Sequence, residues 1–363
     1  MLTTNSFALP ADDQALKASR SRRLKKIFKI VGFTLLALIL ILVVTFFALF
    51  GKEVSSISSI NEVVSAEFFT MTYKGNYGLD ELLKQGVATD GELVTFVSQR
   101  LLKGLPLKFD LPDLGCSTFA AQTPDGDYIF GRNFDNKDTP VMLVRTNPKG
   151  DYASISVVNL SFIGYSANYL PKSLLKSILA LAAPYAPLDG VNEKGLAIGV
   201  LQLDVAPTKQ DTGKLKITTT AAIRMILDKA ATVDEAIALL SQYDMQSSAN
   251  GCYHFQIADA FGKSVVVEYV NDEMVVLDLS CATNFFLAPG DMYDVGGGQN
   301  RYEILVDTLT EKDGILTAAE GMDLLKAVKQ DSTQWSALYN NTKQTLSLSI
   351  HGNYTKIYEY SVK

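Results

Sequence analysis

The sequence predicts an α+β protein, a layered domain of antiparallel sheets preceded by one membrane-spanning helix. Three observations carry this reading: 21 uncharged residues at 30–50, alternating strand-like and helix-like stretches from residue 116 onward, and turn signatures short enough to make most strand pairs hairpins. At 363 residues the chain has room for one large domain with an appendage, or for two ordinary domains.

The run "IVGFTLLALILILVVTFFALF" at 30–50 spans about 30 Å as a helix, the thickness of a bilayer's hydrocarbon core. Before it stand Lys17, Arg20, Arg22, Arg23, Lys25, Lys26 and Lys29 against Asp12 and Asp13; only Lys52 and Glu53 follow directly. This asymmetry predicts a basic cytoplasmic tail at 1–29, a transmembrane helix at 30–50 and everything later outside the membrane. A cleaved signal has a shorter apolar region, about 7 to 15 residues, and a small-x-small site, of which "FALFGKEV" is a poor example. An anchor is therefore expected. The formal net charge of −6 leaves no footprint for nucleic acid.

Residues 51–115 read as a helical, propeptide-like linker ("LDELLKQG", "DGELVTFVSQRLLKGL"), closed by the prolines of "LPLKFDLPD". A new domain, 116–363, then begins with a hairpin around "TPDG", a type I turn signature. "DYASISVVNLSF" and "GLAIGVLQLDV" follow as strands, the second apolar enough to be central. Helices are expected in "LPKSLLKSILALAAPY" and in "TTAAIRMILDKAATVDEAIALLSQY", where Thr232 and Glu235 stand at capping-box spacing. "YHFQIADAFGKSVVVEYVNDEMVVLDL" reads as three strands, "AAEGMDLLKAVKQ" as a helix opened by Thr317 and Glu320, and "TLSLSIHGNYTKIYEYSV" as a closing hairpin.

Three cysteines, Cys116, Cys252 and Cys281, are not a disulfide framework, and at least one thiol is expected free. With two histidines and no CxxC, no metal site or cofactor is expected. Cys252 and Cys281 lie in apolar runs and read as core; His254 reads as a strand residue and His351 as a turn residue. Cys116 is different. A symmetric ladder centred between Pro124 and Asp125 places it opposite Asn133, one residue from Arg132, whose guanidinium would favour the thiolate. Asp135 could hold that arginine or a base. The base itself is open: a histidine, or the α-amine of Cys116 once the chain is cut before it.

"CSTFAAQTPDGDYIFGRNFD", followed in order by "DGVNEKGLAIGVLQL", "IADAFGKSVVVEY", "ATNFFLAPG", "QNRYEIL" and "STQWSALYNN", resembles the choloylglycine hydrolases. These linear amide C-N hydrolases include bile salt hydrolases and penicillin V acylases, and the resemblance covers residues 116–363. It implies an αββα sandwich of the N-terminal-nucleophile hydrolase type acting on a small-molecule acyl amide, and admits a homo-oligomer. Residue by residue it makes Cys116 the nucleophile, Arg132 and Asp135 the pair of the "GRNxD" motif, Asn284 an oxyanion-hole amide and Arg301 the family's arginine, here after Asn300 where a serine is usual. Gln202 falls where bile salt hydrolases have asparagine and penicillin acylases tyrosine. The 115 residues before Cys116 depart from bile salt hydrolases and match the acid-ceramidase-like arrangement, in which the chain cuts itself before the cysteine. Cleavage after Gly115 is the expectation, a residue with no side chain to obstruct attack. The alternatives are an acyltransferase of the same fold, an inactive binding module for amphipathic ligands, and a Cys-His peptidase that replacement of His254 or His351 would disable.

Overall fold

Apolar faces of two sheets meet in the centre of the molecule, which is why strands on both read as near-continuous buried runs. The computed structural model describes residues 11–107, 115–137 and 139–363, so most of the expected proline-marked boundary lies outside the described residues. The chain divides into Met1–Val54 and Ser55–Lys363. The first unit carries most of α1 (Ala11–Ser58), among the described residues the one helix long and apolar enough to cross a membrane.

In the second unit the chain forms β1 (Asn61–Val64), β2 (Phe68–Tyr73), α2 (Leu79–Gln85), α3 (Asp90–Arg100), β3 (Gly115–Gln122) and β4 (Tyr128–Asp135). There follow β5 (Val141–Thr146), β6 (Ser154–Asn159), β7 (Asp189–Asn192), β8 (Ala197–Leu203), β9 (Leu215–Thr218), α4 (Thr219–Lys229) and α5 (Val233–Leu240). The rest is β10 (Tyr243–Gln246), β11 (Cys252–Ala258), β12 (Ser264–Val270), β13 (Glu273–Leu277), β14 (Cys281–Ala282), β15 (Asn284–Phe285), β16 (Gly296–Gly297), α6 (Gln299–Glu311), α7 (Ala318–Ala327), β17 (Thr333–Asn340), β18 (Thr345–Ile350) and β19 (Tyr358–Ser361).

The larger sheet runs β1-β2-β5-β6-β7-β8-β11-β12-β13 and the smaller β14-β3-β4-β17-β18-β19. They pack face to face: a Cβ added to Gly199 of β8 would lie 3.2 to 3.4 Å from Thr118, Phe130 and Arg132 of the smaller sheet. Helix α4 covers β7 and β8 on one outside, and α6 and α7 cover β3, β4, β14 and β17 on the other, completing the αββα order.

Two expectations need correction. Residues 51–115 are not wholly helical, and the fold does not begin at Cys116: β1 and β2 extend the larger sheet, with β2 parallel to β5 in the register Phe68↔Val141. "FFTMTY" alternates as a strand should, with Phe68, Phe69, Met71 and Tyr73 buried. Tyr77 then donates to the buried Asp228 carboxylate at 2.5 Å, and Tyr185 donates to Tyr77's carbonyl at 2.9 Å. The other correction is "KSILALAAPY", which winds as 3₁₀ turns (Lys176–Tyr185) and not as an α-helix, Pro184 removing an amide donor.

Candidate active site

Hairpin β3–β4 positions the cysteine, and its turn decides which neighbours the cysteine has. Thr123 accepts from Gly126 N at 2.9 Å, Gly126 takes φ +87°, and Thr123 N donates to Asp127 O at 2.7 Å. This is a three-residue loop, a type I turn followed by a left-handed glycine. It shifts the expected register by one, pairing Cys116 with Phe134, Ser117 with Asn133 and Thr118 with Arg132. A slip of one residue exchanges faces. The correction therefore puts Arg132 diagonally across from Cys116 on the same face, between the sheets, and puts Ser117 and Asp135 on the other.

Arg132 lies close enough to the Cys116 thiol for its charge to act on it. Its Nε donates to Asp189 Oδ2 at 3.4 Å, and that carboxylate also accepts from Trp335 Nε1 at 2.9 Å and from Tyr339 OH. Cys116, Arg132 and Asp189 have no solvent exposure. Burial pushes the Cys116 thiol above its ordinary value; Arg132 pulls it down and Asp135 up, and the cation does not prevail. The expected lowering of the thiol is thus absent in the uncut chain, because complete desolvation outweighs one guanidinium. Burial likewise raises the Asp189 carboxyl against the pull of Arg132.

The main chain of Cys116 is held from the opposite side. Its nitrogen donates to Asn284 Oδ1 at 2.7 Å, while Arg301 Nη1 donates to its carbonyl oxygen and to Ser117 Oγ, each at 2.5 Å. Arg301 Nη2 donates to Asn284 Oδ1 at 2.8 Å, and Asn284 Nδ2 donates to Gln202 O at 2.8 Å. Arg301 sits in the first turn of α6, N-capped by Gly298 at φ +95°, a conformation that suits glycine. "GGGQN" is therefore the lead into a buried arginine.

Asp135 does not hold Arg132. It lies 3.7 Å from Arg301 Nη1 and accepts from Gln330 Nε2 at 2.6 Å and Thr333 Oγ1 at 2.5 Å. Gln202 contributes its carbonyl to Asn284, and lines a cavity of about 560 Å³ with Gly115, Asp204, Asn284, Gly296, Gly297, Gly298, Arg301 and Gln330. The five other residues singled out in the sequence thus gather around Cys116 and the two faces of its hairpin. Cys252 and Cys281 are buried and unbridged, burial pushing Cys281 up to about 12. His254 is buried in β11 and His351 follows β18 with φ +49°.

Sequence reasoning missed Asp189, Ser117, Gln330 and Thr333. Asp189 left a signal: it is the one charged residue between Lys176 and Glu193, and a buried charge demands a partner.

Residues 116–284 match the family model described as linear amide C-N hydrolases, choloylglycine hydrolase family. A penicillin V acylase from Pectobacterium atrosepticum is 34% identical over 99 residues, 24% of this chain and 26% of that protein. A bile salt hydrolase/transferase from Clostridium perfringens is 26% identical over 176 residues, 45% of this chain and 50% of that protein. The chain thus spans about a quarter and a half of the lengths of these curated relatives. The crystal structure of a mutant conjugated bile acid hydrolase from Clostridium perfringens has the same fold, with a TM-score of 0.50 at 19% identity over 68% of this chain and 92% of that one.

Proposed function

Because residues 116–284 match the linear amide C-N hydrolases of the choloylglycine hydrolase family, we propose that this chain hydrolyses a small acyl amide with Cys116 as an N-terminal nucleophile. One observation carries the reading: the nitrogen of Cys116 is hydrogen-bonded to Asn284 at 2.7 Å, so the atom that must become the base already has an oriented partner. In the uncut chain that nitrogen is an amide with no basic lone pair. Cleavage between Gly115 and Cys116 makes it an amine, with an ordinary pKa of about 7.7 to 8.0.

The amine takes the thiol proton as Sγ attacks the substrate carbonyl, giving a tetrahedral oxyanion. Asn284, with Gln202 beside it, supplies amide donors there, each worth about 2.7 to 4 kcal/mol of barrier. The amine returns the proton to the departing nitrogen, the C-N bond breaks and a thioester remains. Water, deprotonated by the same amine, then releases the acid and restores the thiol. Arg132, fixed by Asp189, stabilises the thiolate; Arg301 and Asp135 hold the main chain of Cys116.

The reading extends to place. Residues 30–50 anchor the chain, the basic tail stays in the cytoplasm and the catalytic unit faces outward, supported by the charge asymmetry around an exposed apolar helix. Purified full-length protein and Cys116→Ala are offered penicillin V, glycine- and taurine-conjugated bile salts, N-acyl amino acids, acyl homoserine lactones and lipid amides, with products read by mass spectrometry. The expected result is release of acid from at least one of these by the parent alone. Equal turnover by Cys116→Ala, or none by a parent chain that begins at Cys116, overturns the reading.

A further inference from the structure

One residue before Asn284, the carbonyl of Thr283 accepts a hydrogen bond from His254 Nε2 at 2.7 Å. The other ring nitrogen, Nδ1, lies 2.9 Å from Glu268 Oε1. Glu268 in turn accepts from Leu287 N at 2.9 Å through Oε1 and from Ala288 N at 2.8 Å through Oε2. His254, Glu268 and Thr283 are wholly buried. Their strands are neighbours: β11 and β12 pair Phe255 with Val267, which places His254 level with Glu268.

A histidine and a glutamate on two rigid strands thus grip segment 283–288 at three backbone positions. That segment starts with Asn284, and it is tied to the lead into Arg301. Thr283 Oγ1 donates to Gly298 O at 3.1 Å, Asn284 pairs with Gly297, and Gly298 caps the helix from which Arg301 projects. The protons are specified as well. A carbonyl only accepts, so Nε2 carries a hydrogen; Nδ1 faces a carboxylate oxygen already accepting from Leu287, so one proton lies between Nδ1 and Oε1. Removing either side chain leaves its partner buried and unpaired, and frees the segment from the sheet.

We propose that His254 and Glu268 are positioning residues, which set Asn284 and Arg301 against Cys116 by clamping segment 283–288 to the central sheet. They act through the backbone and exchange no proton with substrate. The kinetic part of this proposal rests on the hydrolase reading above; the structural part does not.

The test uses the full chain in detergent, with Glu268→Gln, His254→Leu and His254→Gln. Hydrogen exchange read by mass spectrometry should show the amides of 283–298 exchanging about tenfold faster in Glu268→Gln and His254→Leu, the worth of one buried hydrogen bond, with hairpin 115–135 unchanged. With whichever amide the parent turns over, kcat should fall by about 10²-fold with little change in KM, as expected when catalytic atoms are displaced by an ångström. His254→Gln, which restores a donor toward Thr283 O, should recover part of both. Unchanged exchange in 283–298, or faster exchange there with unchanged kcat, overturns the proposal. Loss of protection throughout His254→Leu passes the decision to Glu268→Gln, which keeps shape and volume. If a parent chain that begins at Cys116 hydrolyses none of the amides the hydrolase reading fails, and exchange alone decides the clamp.

Discussion

Gly115 is the residue at which steric detail and chemistry meet most closely. A Cβ there would lie 2.6 Å from Gln330 Nε2 and 3.0 Å from Asp135 Cβ, and the Gln330 amide is itself bound to Asp135. Gly115→Ala is therefore expected to slow cleavage before Cys116, and adding Gln330→Ala to restore part of it; the uncut fraction by intact mass is the readout, and an unchanged rate would contradict the crowding. Asp189 offers the second test at this scale. Asp189→Asn leaves the Arg132 cation buried without a counter-charge, a loss on the order of 3 kcal/mol in urea unfolding, with reduced turnover. Cys116, Arg132 and Asp135 were legible in the sequence because one hairpin carries all three. The role of Asp189 was not, because its donors Trp335 and Tyr339 lie 146 and 150 residues away and only sheet packing brings them together.

Among the elements, α7 was the most legible, because its start depends on contacts within one turn. Thr317 and Glu320 form the expected capping box, Thr317 Oγ1 accepting from Glu320 N while Glu320 accepts from Thr317 N at 2.8 Å. Those bonds, first the Thr317 amide and then Lys312, hold the Glu320 carboxyl down at about 2. Thr317→Ala should cost about 1 kcal/mol near neutral pH. A lowered folded pKa means this carboxylate's contribution is present above its ordinary 4.5 and fades as the pH falls toward about 2. The gap between parent and variant should accordingly narrow as the pH falls from about 4.5 toward about 2, measured by denaturant unfolding. Strands β1 and β2 were missed for the converse reason. Their place depends on a parallel partner, β5, beginning 73 residues on at Val141 against Phe68, and no local signal announces a parallel neighbour. Hairpin β3–β4 falls between: "TPDG" announced the turn, but the left-handed Gly126 added the residue that fixed the register.

At the scale of the whole molecule, the layered order and the apolar helix could be read from runs of residues, whereas the partners of each sheet edge could not. The consequence concerns residues 55–107, which precede the cysteine yet belong to the same unit as it through the β2–β5 ladder and the Tyr77–Asp228 bond. After cleavage, chain 1–115 should stay bound to chain 116–363, the two co-purifying from membranes and separating only in denaturant. Separation under native conditions would contradict that role for β2.

Intact mass with N-terminal sequencing of the purified protein, beside Cys116→Ala, tests the central claim most directly. The account predicts a parent chain beginning at Cys116 and a variant that remains uncut. A parent that hydrolyses amides with Gly115 still joined to Cys116 would contradict it, because no α-amine would exist to serve as the base.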